Sequence, residues 1–220
     1  MATTGTQTVR DVVKAALRKA RVTGFGEAPD ADDAEVAMDE LNFMLKGWQN
    51  RRYNLWTKTA GSLALTTAAV YTLDPVRPLR ILSARFKRNG IEVPMQRMTR
   101  DEYDELPNKA TTGQPTQFYY DRQREAARFY VWPVLATAAG ETIEYTYDRE
   151  LEDVTSLDDT LDMPGEWWDA VVYGLAVRML ETLNMPAPQT LILRAEYLLE
   201  TALADDREGS VFFGTPERWG

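Results

Sequence analysis

The sequence predicts an α+β protein: a four-helix bundle core, an inserted antiparallel β module and an extended C-terminal arm. Three observations carry this. Apolar residues recur at three-four spacing before Arg51 and again after Met163. Between Ser62 and Arg149 that period stops, apolar and polar residues alternate, and Asn89-Gly90 supplies a type I′ hairpin turn. Beyond Ala204, Val211, Phe212, Phe213 and Trp219 stand among Gly209, Gly214, Pro216 and Gly220, with no periodic face. The expected boundaries are 1–58 with 154–204 for the helical bundle, 59–153 for the β module and 205–220 for the arm.

The first helix starts at Thr8, a side-chain cap, and runs to about Arg21, with Val9, Val12, Val13, Ala16, Leu17 and Ala20 on one face. Its other side is basic: Arg10, Lys14, Arg18, Lys19 and Arg21. The second spans Asp30–Asn50, with Ala34, Ala37, Met38, Leu41, Met44, Leu45 and Trp48 inward. Asp30, Asp32, Asp33 and Glu35 crowd its first turn, where the helix dipole favours anions. Arg10, Lys14 and Arg18 can therefore pair with Asp32, Asp33 and Glu35, within a subunit or between neighbours.

In the middle, Ile81–Arg88 and Ile91–Met98 flank the Asn89-Gly90 turn. Thr99-Arg100-Asp101-Glu102 is a capping box that opens a short helix over Arg100–Leu106. Gln117–Asp121 and Ala127–Trp132 form a second hairpin, and Thr142–Arg149 alternates as a further strand. An acidic linker, Asp153–Asp162, leads to the central helix Met163–Asn184, with Asp162 as its expected cap and Pro164 in its first turn. Trp168, Val171, Val172, Leu175, Ala176, Met179, Leu180 and Leu183 make its apolar arc so wide that it needs cover from several sides. Asn184-Met185-Pro186-Ala187-Pro188 ends it. The last helix, Gln189–Ala204, turns Leu191, Ile192, Ala195, Leu198, Leu199, Ala202 and Leu203 inward.

Composition removes whole classes of chemistry. The 220 residues contain no cysteine and no histidine, which excludes disulfides, thiolate nucleophiles, cysteine zinc sites and the Ser-His-Asp triad. Neither GxGxxG nor GxxxxGK[ST] occurs. No cofactor is expected. The net charge of −9 opposes general affinity for nucleic acid, although an acidic wall lets DNA slide past. No apolar run is long enough to span a bilayer, and the opening residues lack the apolar core of a secretory signal.

Four constellations remain. Asp158, Asp159 and Asp162 can face a hard cation, but their spacing is not that of an EF-hand loop; the plainer reading is a solvated linker. Glu166 and Asp169, one helical turn apart, are the pair a carboxylate-based glycan hydrolase would need, and also what a wet helix face carries. Arg51-Arg52-Tyr53-Asn54-Leu55-Trp56 can stack on and neutralise nucleic acid, with the basic first helix, as a direct DNA-binding module, or simply mark a helix exit whose Tyr53 and Trp56 pack under the β module. Val211, Phe212, Phe213 and Trp219 either fold back on their own domain or reach a partner's pocket.

Several stretches together resemble one family. TVRDVVKAALRKARV, DDAEVAMDELNFMLKGWQNRRYNLWT, VRPLRILSARF, TRDEYDELPNK, GQPTQFYYD and FYVWPV follow one another as in the head–tail adaptor proteins of short-tailed bacteriophages, which include tail accessory factors and tail tubular proteins. The resemblance implies a non-enzymatic ring, generally dodecameric, at the portal vertex of the virion after assembly in the host cytoplasm. It implies as partners further copies of the chain, a portal protein, a tail nozzle or tube protein, and packaged double-stranded DNA passing through the channel without sequence-specific binding. By position, Val211, Phe212, Phe213 and Trp219 would be the portal-docking arm.

Overall fold

A computed structural model describes residues 7–24, 27–49, 55–75 and 77–205. The helices are α1 (Val9–Lys19), α2 (Ala31–Gln49), α3 (Arg100–Asp104), α4 (Trp168–Thr182) and α5 (Gln189–Asp205). The strands are β1 (Lys58–Ala64), β2 (Val70–Tyr71), β3 (Arg80–Arg88), β4 (Ile91–Pro94), β5 (Gln96–Met98), β6 (Gln117–Asp121), β7 (Arg128–Trp132) and β8 (Thr142–Asp148). The chain divides into two compact units, Met1–Leu55 with Leu151–Gly220, and Trp56–Glu150.

In the first unit the apolar arc of α4 decides the packing. Val171, Leu175, Ala176 and Met179 on α4 are wholly buried, as are Val9, Val12, Ala16 and Leu17 on α1 and Ala37 and Leu41 on α2. Gly174 lets α2 come close: a Cβ there would meet the Met44 sulfur at 2.9 Å and the Trp48 ring at 3.1 Å. Trp48 also lies against Trp167, ring centroids 6.0 Å apart. Thr8 caps α1 by accepting from the Asp11 amide, as its sequence position predicts. Asp162 does not cap the central helix. A 3-10 turn, Gly165–Trp167, precedes α4, and the Asp162 carboxylate instead accepts from the Glu152 amide.

The expected four-helix bundle core does not form. α1, α2 and α5 each pack on α4, but α5 meets α1 and α2 marginally at most. Of its inward row, only Ala202 and Leu203 are buried, whereas Leu191, Ile192, Ala195, Leu198 and Leu199 are half-buried. A bundle closes when each helical stripe is shared between two neighbouring helices, and among the described residues α5 has one substantial helical neighbour, α4. The protein is α+β, with a β-rich unit of two sheets and helices packed around α4.

The second unit holds two four-stranded sheets, ordered β1-β8-β3-β4 and β2-β7-β6-β5. Sequence alternation predicts antiparallel pairing throughout; the β5–β6 pair is parallel. Asn89 and Gly90 adopt positive φ, 51° and 79°, at the predicted turn between β3 and β4. Ile81, Phe86 and Ile143 from one sheet and Phe118, Phe129 and Val131 from the other form a shared core. Phe118 stacks on Phe129 at 5.1 Å, and Phe129 reaches Tyr145 of the opposite sheet at 6.4 Å. Gly61 makes room for Tyr145, whose ring would lie 2.4 Å from an added Cβ.

Candidate interaction surfaces

The helical unit presents two surfaces that its own core leaves open. One is the outer side of α2. Asp32, Val36, Asp39, Phe43 and Gly47 follow at four-three-four-four spacing, and all are exposed. Phe43 is 67% and Val36 38% exposed. Both fall outside the apolar row that packs on α4, so the stripe alternates acidic Asp32 and Asp39 with apolar Val36 and Phe43. Asp33 is half-buried and Glu35 exposed beside it.

The other surface is an open cavity of about 460 Å³ lined by Lys19, Ala20 and Arg21 after α1, Tyr173 on α4, and Pro188, Leu191 and Arg194 around the start of α5. Lys19 donates to the Tyr173 hydroxyl at 3.1 Å and stands 4.8 Å from its ring centre. The Arg194 guanidinium stacks 5.4 Å from the Tyr197 ring. Tyr197, 61% exposed, and Leu193, 55% exposed, follow at i,i+4 spacing on the outer side of α5. Sequence periodicity passes over Phe43, Leu193 and Tyr197. The available signal is that each is a large apolar side chain off its helix's buried stripe.

The basic side of α1 and the acidic start of α2 do not pair with each other among the described residues. Arg10 instead binds Asp158 at 2.8 Å, with both side chains exposed. Lys14 and Arg18 are half-buried, and Arg18 Nε is buried without a hydrogen bond among the described residues. Asp30 is occupied locally, accepting from the Ala31 amide.

The linker acids shape a loop. Asp159 accepts from the Thr155 and Ser156 amides and the Thr155 hydroxyl, at 2.8–3.0 Å. These donors, the Thr155 amide first, hold its carboxyl below the usual range. With Asp158 on Arg10 and Asp162 on the Glu152 amide, all three have structural partners. No cluster of three or more His, Cys, Asp or Glu side chains among the described residues could hold a metal. Glu166 and Asp169 are both exposed around the first turn of α4. Neither lines the α1–α4–α5 cavity, the open pocket at Asp121–Tyr130 or the one between Gln96 and Gln117. Arg51, Arg52, Tyr53, Val211, Phe212, Phe213 and Trp219 lie outside the described residues.

In the β unit, the predicted capping box is formed. Thr99 accepts from the Glu102 amide, and Glu102 accepts from the Thr99 amide at 2.6 Å, which lowers the Glu102 pKa. The helix this starts, α3, covers one sheet with Tyr103, stacked on Tyr119 at 5.5 Å and tilted against Tyr130 at 4.9 Å. Among the described residues, no helix is long and apolar enough to cross a membrane.

The family described as SU10 adaptor protein matches residues 7–216, running through both units. A chain from the neck of an empty GTA particle, solved with C6 symmetry, aligns over 93% of this chain and 92% of its own, at 16% identity and a TM-score of 0.30. No curated protein matches.

Proposed function

We propose a function from one premise: the chain belongs to the SU10 adaptor protein family. The protein is a phage head–tail adaptor, a structural component of the virion's head–tail junction. The observation that carries this is the family match over residues 7–216, which takes in the helical unit, the β-rich unit and most of the tail segment. The geometry agrees with a structural role. The acids that a glycan hydrolase would need, Glu166 and Asp169, are exposed and share none of the described cavities.

The finer reading extends this. Copies of the chain form a ring, taken to be dodecameric, under the portal, and the ring joins portal to tail and helps retain packaged DNA. The net charge of −9 suits a channel that duplex DNA crosses without being held. The residues from 59 to 153 form the module that meets neighbours or the tail nozzle, and residues 205–220 form the arm that reaches the portal. Val211, Phe212, Phe213 and Trp219 each bring enough apolar area to anchor a contact. One arm binds weakly because ordering it costs roughly 1–2 kcal/mol per residue, and a ring of arms binds tightly through avidity.

The test is co-sedimentation with DNA-filled, portal-bearing heads. The full chain should attach, and a chain lacking Ser210–Gly220 should fold and fail to attach. Normal attachment by the truncated chain would reject the arm as the dock. Failure of the full chain to bind either heads or tails would reject the adaptor reading itself.

A further inference from the structure

Resting on the ring reading above, we infer which surfaces join one copy to the next: the outer face of α2 from one copy seats in the α1–α4–α5 groove of its neighbour. Two independent features of these surfaces match. The first is shape and polarity. Val36 and Phe43 form an apolar ridge on α2, while Tyr173, Pro188 and Leu191 line an open cavity of about 460 Å³ at the start of α5. That cavity is large enough to receive an aromatic side chain.

The second is charge. Asp32 and Asp39 lie on the ridge itself, with Asp33 and Glu35 beside them, and no described cation pairs with any of the four. Lys19, Arg21 and Arg194 rim the groove; Lys19 and Arg194 are engaged by tyrosines rather than carboxylates. Each surface therefore leaves uncovered what the other supplies. Bringing them together buries apolar surface on both sides and sets an acidic ridge against a basic rim.

The two surfaces are different parts of the chain, so the contact is heterologous. A heterologous contact repeats from copy to copy and, when its rotation closes, makes a ring; a two-fold contact would stop at a dimer. The apolar ridge and the half-buried row of α5 then cover what the described residues of the helical unit leave open. Attraction between acidic ridge and basic rim speeds encounter and weakens with salt.

Mixing two one-sided variants tests this. The ridge variant carries Asp39→Ala and Phe43→Ser; the groove variant carries Lys19→Ala and Arg194→Ala. All four side chains are exposed, so circular dichroism should show native helix in both. Analytical ultracentrifugation should show rings for the unaltered chain and monomers for each variant alone. The mixture should give a discrete heterodimer, because one intact ridge meets one intact groove and the remaining ends are both defective. Rings from either variant alone, or a mixture that stays monomeric while the unaltered chain assembles, would overturn the proposed contact. An unaltered chain that stays monomeric both alone and with portal would instead overturn the ring reading on which it rests.

Discussion

The two units of this chain handle their apolar residues in opposite ways. The β-rich unit encloses its large side chains between its own sheets: Phe86, Phe118, Phe129, Ile81 and Ile143 are all buried. Its exposed large apolar residues, Val70, Leu82 and Ile91, sit on separate strands. The helical unit buries Trp167, Leu17, Leu41, Leu175 and Met179 just as completely, yet Val36 and Phe43 line up on α2 and Leu193 and Tyr197 on α5. Scattered exposed apolar residues are ordinary, whereas aligned ones mark a surface that something else covers. One unit thus closes on itself, and the other is finished on the inside but open at two faces.

The largest expected effect separates the two cores. Phe129→Ala should cost ~3–5 kcal/mol and Leu175→Ala ~2–5 kcal/mol, since both side chains are wholly buried. Denaturant unfolding gives the totals, and native-state hydrogen exchange locates them. Phe129→Ala should deprotect β3, β7 and β8 while sparing α4, and Leu175→Ala should do the reverse. Equal loss of protection in both units from either variant would show that they unfold as one.

A smaller effect tests how tightly the β unit is closed. Gly61→Ala puts a Cβ 2.4 Å from the Tyr145 ring, and that tyrosine is held by its hydroxyl's hydrogen bond to the Asp74 carbonyl, at 2.9 Å. The strand or the ring has to shift, at a cost of ~1–3 kcal/mol. A variant with unchanged thermal stability would mean that the sheet yields freely at β1. Paired with Tyr145→Phe, which frees the ring's anchor, the penalty of Gly61→Ala should fall.

The smallest effects concern charge, and again divide by unit. Glu141 is buried in the β unit, accepting from the Ala139 amide at 2.6 Å and from Arg88 at 2.9 Å. The amides of Ala139 and of Glu141 itself, and then Arg88, hold its carboxyl below the usual range. A lowered folded-state pKa means that the stabilisation is present above the unfolded-state value and is lost as pH falls through the folded-state value. Glu141→Gln should therefore lower stability near neutrality and flatten its acid limb. An unchanged slope between neutral and acidic pH would remove Glu141 from the linkage. The exposed Arg10–Asp158 pair in the helical unit should contribute only ~0–1 kcal/mol, so Arg10→Ala should barely move the denaturation midpoint. A loss well above that range would show that Arg10 also anchors the start of α1, whose first amides donate to the carbonyls of Asp159 and Leu157.

Local elements were legible before any tertiary contact was known. The cap at Thr8, the Asn89-Gly90 turn, the Thr99–Glu102 box and the ranges of α1, α2 and α5 all depend on residues within a few positions of each other. So does the hairpin of β6 and β7. Period alone also located the buried arc of α4. What it could not decide was the cover. An apolar stripe states which face leaves water and is silent on which element meets it, so the four helices suggested a closed bundle, whereas among the described residues α5 packs mainly on α4. Pairing of distant strands has the same character. Alternation marks β5 and β8 as half-buried, yet the parallel match of β5 to β6 and the place of β8 between β1 and β3 are set by contacts far apart in the chain. The opposed acidic ridge and basic groove belong to this second class too. Their residues are visible in the sequence one by one, but only folding brings Lys19, Arg21 and Arg194 to one rim and turns Phe43 outward beside Asp39.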